Sequence, residues 1–400
     1  MLAVVQTHPI QYHAPVYRLV QERWGVPVTA IYGSDFSIAG YRDHEFGTTF
    51  AWDSDLLSGY SSEFLARVAN GGAREFAEVS AHGVGTALAR LRPSAVLIGG
   101  YSPHFHRAAF VNALFRGYPV LFRGETIDGE PARFFKRSLR RSALRLLYSR
   151  CARLLYIGTR SRRHFEQHGC AENRLVFSPY CTDATSFQTD EVARQRLRTP
   201  LRRTLGIADE DLLILFSGKL TPKKRPDLLI DATRVMQNAS PRRVAVVFLG
   251  DGELRATLEA SSRSVPGLMT HFAGFKNQTQ LSAYYHAADV LVLPSDHSET
   301  WGVVVNEALA HGVPCVVSDA VGCAPDLARP GETGATFEIG SAAALASAIL
   351  RTTALVGTLE TRNRCRHVAN LFSVEQAAAG IAQAYRSVAG SSNSHASRLD

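Results

Sequence analysis

Two glutamates, Glu299 and Glu307, stand eight positions apart in the run Ser298-Glu-Thr-Trp-Gly-Val-Val-Val-Asn-Glu-Ala-Leu-Ala-His-Gly-Val-Pro314. Residues 290–294 form an apolar run of strand type, 295–302 read as a loop and 303–311 as a helix. Gly312 and Pro314 stop that helix, and 315–317 open the next strand. Glu299 therefore precedes a helix N-terminus and Glu307 lies more than one turn inside the helix. At about 1.5 Å rise per residue, the two carboxylates are roughly 8–12 Å apart along the axis. That is the span from the ribose to the sugar of a nucleotide-sugar. The exposed N–H groups of the helix N-terminus between them would face the diphosphate.

A second cluster fits the first. Gly218-Lys-Leu-Thr-Pro-Lys-Lys-Arg225 follows the apolar run 212–217, and Lys219 and Lys224 flank a Pro turn at the strand exit. Two cations there would neutralise a diphosphate leaving group as a glycosidic bond breaks. The plainer reading is a solvated basic loop. Gly250-Asp-Gly-Glu253 follows a strand and opens a helix, as a ligand loop or only as a tight turn. In Phe272-Ala-Gly-Phe275, Gly274 and Phe275 would let a nucleobase approach the backbone. Val321-Gly-Cys-Ala-Pro-Asp326 and Gly331-Glu-Thr-Gly334 add small residues in later loops.

These groups need a scaffold, and the pattern of the chain supplies one. Short apolar runs alternate with helical periodicity throughout. In the first half the predicted strands are 2–6, 28–32, 95–98, 120–123, 154–157 and 175–178. In the second they are 212–217, 244–250, 270–273, 290–293 and 315–318. Strand–helix alternation implies parallel sheets covered by helices on both faces. The expected fold class is α/β, with two doubly wound Rossmann-like domains facing each other across a cleft and ligands at the carboxyl ends of the strands. The expected boundaries are an N-terminal domain at 1–182, a polar Arg-rich linker at 183–205, a C-terminal domain at 206–372, a helix at 373–389 packing back on the N-terminal domain, and a disordered tail at 390–400. The segment 41–72 reads as a long aromatic loop, either an acceptor pocket or a packed surface loop.

Bulk properties narrow the classes. Four hundred residues with 46% apolar content suit two globular domains. No apolar run is long enough to span a bilayer, and the N-terminus lacks the pattern of a secretory signal. The six cysteines show no Cys-x-x-Cys pair, which suits reduced packing residues and a cytoplasmic setting. No metal-ligand spacing is visible. The net charge of +8 is concentrated: residues 131–165 hold eleven Lys and Arg and no Asp or Glu. Phe134, Phe135, Leu139, Leu146 and Leu147 interleave at helical spacing. Such a segment suits an anionic membrane surface, or else a solvated helix face with an ordinary core stripe. Nucleic acid is not expected, since no RNA or DNA motif accompanies the charge.

In order, Lys219 to Lys224, Gly250 to Gly252, Phe272 to Gly274, Glu299 to Glu307, Gly312-Val-Pro314, Gly322 to Asp326 and Gly331 to Gly334 resemble the landmarks of the retaining glycosyltransferases of family 4, with the GT-B fold and an E-x7-E motif. The resemblance is close over about 206–340. In the N-terminal half it rests on His8-Pro-Ile-Gln-Tyr12 and Arg123-Gly-Glu125. It implies a retaining hexosyltransferase acting on a nucleotide-diphosphate sugar donor, with no metal and no cofactor. It implies a catalytic set of Glu299, Lys219, Lys224 and His104. It implies donor contacts from Glu307, Gly218, Gly250, Gly274, Phe275, Thr300, Trp301 and Gly302. On the acceptor side it implies His8, Gln11, Tyr12, Tyr101, Arg123 and Glu125. In that family the first Glu serves the donor sugar, the second the ribose hydroxyls, and the basic pair the diphosphate.

The expected acceptor is lipid-linked or a cell-envelope polysaccharide, at the inner face of the membrane. A soluble natural-product acceptor, and a membrane-associated protein that binds nucleotide-sugar without turnover, stay open. So does a nucleotide-sugar epimerase of the same fold.

Overall fold

A computed structural model describes residues 1–43, 48–50, 55–125, 134–237 and 239–396. The chain divides into two compact units. One holds residues 1–41, 50–181 and 373–400; the other holds 42–49 and 182–372.

The strands in chain order are β1 (Leu2–Gln6), β2 (Val28–Tyr32), β3 (Tyr41–Asp43), β4 (Thr48–Phe50), β5 (Ser61–Phe64), β6 (Ala95–Ile98), β7 (Val120–Gly124), β8 (Arg153–Tyr156), β9 (Leu175–Phe177), β10 (Leu212–Ser217), β11 (Val244–Leu249), β12 (Met269–Gly274), β13 (Val290–Leu293), β14 (Cys315–Ser318) and β15 (Gly334–Phe337). The first unit's sheet has the order β5-β2-β1-β6-β7-β8-β9 and the second's β12-β11-β10-β13-β14-β15. All the registered pairs in both are parallel. The reason is legible in β10: every residue of Leu-Leu-Ile-Leu-Phe-Ser is buried, as a strand covered by helices on both faces requires. In each sheet the order reverses once, between β1 and β6 and between β10 and β13. Those switch points open a crevice at the carboxyl ends of the strands. Loops far apart in sequence meet there.

Three expectations need correction. The segment 183–205 is not a linker. Asp190 accepts a hydrogen bond from Ala193 N at 2.7 Å and starts the helix Glu191–Thr204. Its arginines are structural. Arg202 is almost wholly buried and reaches Ala287 O at 2.9 Å, Asp211 O at 2.8 Å and Asp289. Arg198 bonds Asp289 Oδ1 at 2.7 Å, and Glu191 pairs with Arg362 and Arg366. Arginine-rich composition looks solvated in sequence, yet here it satisfies strand-end and helix-end carbonyls.

The aromatic segment 41–72 contains β5, the edge strand of the first sheet, so it is not loop throughout. Its residues 44–47 and 51–54, with the side chains of 41–54, lie outside the described residues. At the C-terminus the helix Val374–Ala396 continues past the expected start of disorder at 390, and 397–400 lie outside the described residues. Ala377, Ala378, Ile381, Ala384 and Val388 of this helix enter the core of the first unit with Leu2, Val4 and Tyr17.

Candidate functional site

The switch point of the second unit gathers the chemistry. The loop after β10 carries Gly218, Lys219 and the short turn Pro222–Lys224; the loop after β13 carries Ser295 to Gly302. Asp296 N bonds Lys223 O at 2.9 Å and joins the two loops. Lys224 Nζ makes a direct ion pair with Glu299 Oε2, with both side chains mostly buried. Ser295 Oγ donates to the same carboxylate oxygen at 3.2 Å. Lys219 sits in the same loop.

Backbone packing aims Glu299. Gly322 N donates to Glu299 O and Cys323 N to Trp301 O, each at 3.0 Å. A Cβ on Gly322 would lie 1.8 Å from Thr300 O, so only glycine lets this loop bracket 299–301. Gly250 works the same way against the other loop. Its Cβ would lie 2.0 Å from Gly218 O, while Gly218 N bonds Leu249 O at 2.9 Å. Gly250 was expected at the ligand; the structure gives it the task of letting two loops touch. Gly274 ends β12, and its carbonyl accepts from Gly250 N at 3.0 Å. Phe275 follows it, half-buried.

Gly302 immediately precedes the helix Val303–Ala310, and Thr300 is exposed beside it. Trp301 corrects another expectation. It is buried, its Nε1 donates to Asn306 Oδ1 at 2.8 Å, and its ring lies 5.5 Å from Phe372. Its side chain anchors the loop and is not presented to a ligand.

Glu307 lies inside that helix and is only 3% exposed. Tyr285 Oη donates to its Oε2 at 2.5 Å and lies 3.3 Å from Ser217 Oγ. Burial pushes the Glu307 carboxyl up to about 7, although the Tyr285 hydrogen bond works the other way. His311 stacks on Tyr285 with ring centroids 5.0 Å apart. Its Nδ1 sits 2.7 Å from Glu307 O, and burial drives its imidazole down to about 3, so it stays neutral. Tyr285 and His311 were missed from sequence. The Tyr284-Tyr285 pair inside an amphipathic helix reads as ordinary packing.

The first unit's switch point gathers a different set. His8 stacks against Phe36 at 4.2 Å and meets Thr7 Oγ1 at 2.9 Å. Gln11 is buried, and its Oε1 has no hydrogen-bond partner among the described residues. Tyr12 lies 6.1 Å from Tyr180. Glu125 Oε1 lies 3.7 Å from Nε2 of the buried His13. Arg123 is buried against Tyr180, donates to Pro179 O at 2.7 Å and Ser178 O at 3.4 Å, and lies close enough to His13 and Glu125 for its charge to act on both. Tyr101 accepts from Arg140 at 3.5 Å. His104 is exposed at the start of its helix, whereas His106 two residues on is buried near His8, His13 and Glu125. His8, His13 and His106 are thus the histidines of this cluster. Only an i+2 choice along one helix separates His104 from His106, which sequence alone does not make.

Comparison with known proteins agrees with the geometry. Residues 198–370 match the family described as "Glycosyl transferases group 1". A D-inositol 3-phosphate glycosyltransferase of Geodermatophilus obscurus is 33% identical over 239 residues, which cover 57% of this chain and 51% of the relative. An uncharacterized glycosyltransferase of Methanocaldococcus jannaschii is 38% identical over 125 residues, 30% of each chain. The chain spans about half the length of the first of these curated relatives. Among solved structures, Anabaena HepE in complex with UDP superposes with a TM-score of 0.67 at 16% identity, covering 96% of this chain and 99% of that one. A glycosyltransferase from Rickettsia africae gives 0.69 at 13% identity, covering 97% and 98%. The fold is that of the GT-B glycosyltransferases, and the second unit carries the sequence signature of group 1 glycosyl transferases.

Proposed function

We propose that this protein is a retaining glycosyltransferase of family 4 type that moves a sugar from a nucleoside-diphosphate sugar to an acceptor hydroxyl. The observation that carries this reading is the placement of Lys224, Glu299 and Glu307 around one switch point, on two loops and the helix that follows. Glu307 takes the ribose hydroxyls, Lys219 and Lys224 take the diphosphate with the helix N-terminus at Gly302, and Glu299 takes the sugar. The bond from the anomeric carbon to the phosphate oxygen breaks and a bond to the acceptor oxygen forms on the same face. The acceptor proton leaves with the nucleoside diphosphate. Glu299 steadies the positive charge that develops on the sugar. In this reading cations of the chain neutralise the leaving group and no metal is needed. UDP as the diphosphate agrees with the neighbouring HepE complex.

The acceptor is assigned to the first unit's cluster of His8, Gln11, Tyr12, His13 and Glu125, and its class to lipid-linked or polysaccharide sugars made at an anionic membrane. Support for that surface comes from two neighbouring helices without acidic residues, His104–Phe115 and Phe134–Ser149. They pack on one core through Phe105, Ala109, Leu144 and Tyr148. Their outer sides expose Val111, Phe115, Leu139 and Leu146 beside Arg107, Arg116, Arg140, Arg141 and Arg145. Residues 126–133 and the side chains of 134–137, part of the expected basic segment, lie outside the described residues. No single described helix is long and apolar enough to cross a membrane. A cytoplasmic protein held peripherally at the membrane's inner face is the setting proposed.

Thermal-shift screening against UDP, GDP, ADP and TDP tests the donor half. Product analysis of the matching sugar donor, with the anomeric configuration read by NMR, tests retention. Stabilisation by none of the four would overturn the reading.

A further inference from the structure

Glu307 is enclosed, and an enclosed carboxylate binds a vicinal diol only if its plane is fixed. What fixes it is an aromatic residue from another helix. Tyr285, on the helix Gln278–Ala287, is itself fully buried and donates to Glu307 Oε2 at 2.5 Å. Its ring is clamped by His311, with the planes 18° apart. His311 is pinned at both nitrogens, Nδ1 to Glu307 O at 2.7 Å and Nε2 to Ser282 Oγ at 2.9 Å. Ser282 Oγ in turn accepts from Gln188 N at 3.0 Å.

We propose that Tyr285, held by His311, is the positioning residue of the ribose-binding carboxylate: by occupying Oε2 it leaves Oε1 to carry the ribose diol, and so sets the preference for a ribonucleotide over its 2′-deoxy analogue. This rests on the assignment of Glu307 to the ribose. A charge-assisted hydrogen bond of this geometry is stronger than a neutral one, and its loss lets a carboxylate rotate. Tyr285 touches no ligand in this reading and acts only through Glu307.

The test is calorimetry with UDP and 2′-deoxy-UDP on wild type, Tyr285→Phe, Glu307→Gln and the double variant. ADP and 2′-deoxy-ADP replace them if the base proves to be adenine. Wild type is expected to prefer the ribonucleotide by about tenfold or more, as for loss of a well-made polar contact. Glu307→Gln should remove most of that preference, Tyr285→Phe should reduce it severalfold, and the double variant should match Glu307→Gln alone. A merely structural loss would weaken both nucleotides alike and leave their ratio unchanged. An unchanged ratio in Tyr285→Phe, or losses that multiply in the double variant, would overturn the proposal while leaving the ribose assignment intact. An unchanged ratio in Glu307→Gln would overturn both. If Tyr285→Phe does not fold, His311→Phe keeps the stacked ring but frees it from Ser282, and it should lower the same ratio by a smaller factor; an unchanged ratio there is equally decisive against the proposal.

Discussion

Lys224 and Glu299, 75 residues apart in sequence, form a direct ion pair at the switch point of the second sheet. In this pair the group assigned to the diphosphate and the group assigned to the sugar satisfy one another. A donor that binds here must take both away: phosphate oxygens replace the carboxylate at Lys224, and sugar hydroxyls replace the ammonium at Glu299. Pairing offsets part of the cost of burying these two charges.

Glu299→Gln should therefore abolish transfer, by about a hundredfold to a thousandfold as for loss of a group aimed at developing charge. Affinity for the nucleoside diphosphate should be unchanged or higher, because Lys224 no longer has a competing carboxylate. Calorimetry beside a donor-consumption assay reads both quantities, and a large fall in nucleotide affinity would contradict the assigned roles.

Lys224→Met removes the cation and leaves Glu299 without its lysine, though still bonded by Ser295 Oγ. The nucleoside diphosphate should bind about ten- to a hundredfold more weakly, while the free nucleoside is affected much less, since the lost contact is to phosphate. Equal losses for nucleoside and nucleoside diphosphate would argue that Lys224 is structural.

The raised Glu307 carboxyl gives a pH signature. Folded Glu307 keeps its proton up to about 7, whereas the unfolded chain releases it near the ordinary value of 4.5. Its contribution to stability is thus present at low pH and is lost as pH rises through 7. Ribose hydroxyls donate to the ionised form, so nucleotide affinity should rise with pH up to about 7 and then level, by at most about tenfold per unit. In Glu307→Gln that segment of the profile should be flat. Titration calorimetry across this range checks it.

Gly322→Ala puts a methyl group into the Thr300 carbonyl. The bracket on 299–301 must open, and displacement of a reacting group by about 1 Å costs on the order of a hundredfold in rate. Transfer should fall by that order. Circular dichroism should show the fold retained, because the clash is confined to the loop beyond the carboxyl end of β14 and no strand has to move. An active Gly322→Ala enzyme would show that the bracket does not aim Glu299.

Leu139→Ser combined with Phe115→Ser should reduce sedimentation with vesicles of phosphatidylcholine and phosphatidylglycerol, and leave nucleotide affinity as in wild type. Failure of the wild-type protein to sediment with these vesicles would remove the membrane surface from the account.

Much of this was legible in the sequence, for identifiable reasons. Parallel strands buried on both faces read as unbroken apolar runs, so β10, β11, β13 and β14 stand out. The edge strand β5, Ser-Ser-Glu-Phe, is only partly buried and carries no such signal. The Glu299 and Glu307 spacing is readable because helix rise converts sequence into distance. What the spacing hides is who holds each group. The Lys224 ion pair is made by a loop 75 residues away, Tyr285 comes from the helix Gln278–Ala287, and Trp301 turns inward because Asn306 takes its indole N–H. The helix Glu191–Thr204 was misread as a linker because its arginines answer carbonyls and Asp289, partners that composition does not reveal. His104 and His106 are told apart only by about half a turn of helix, which decides which of them faces inward.

The most direct test is a crystal structure with UDP and the donor sugar it identifies. The account expects the ribose hydroxyls on Glu307, the β-phosphate on Lys224, and the Lys224–Glu299 pair broken with Glu299 turned to the sugar. Nucleotide density away from the exits of β10 and β13, or a bound nucleotide beside an intact Lys224–Glu299 pair, would contradict it.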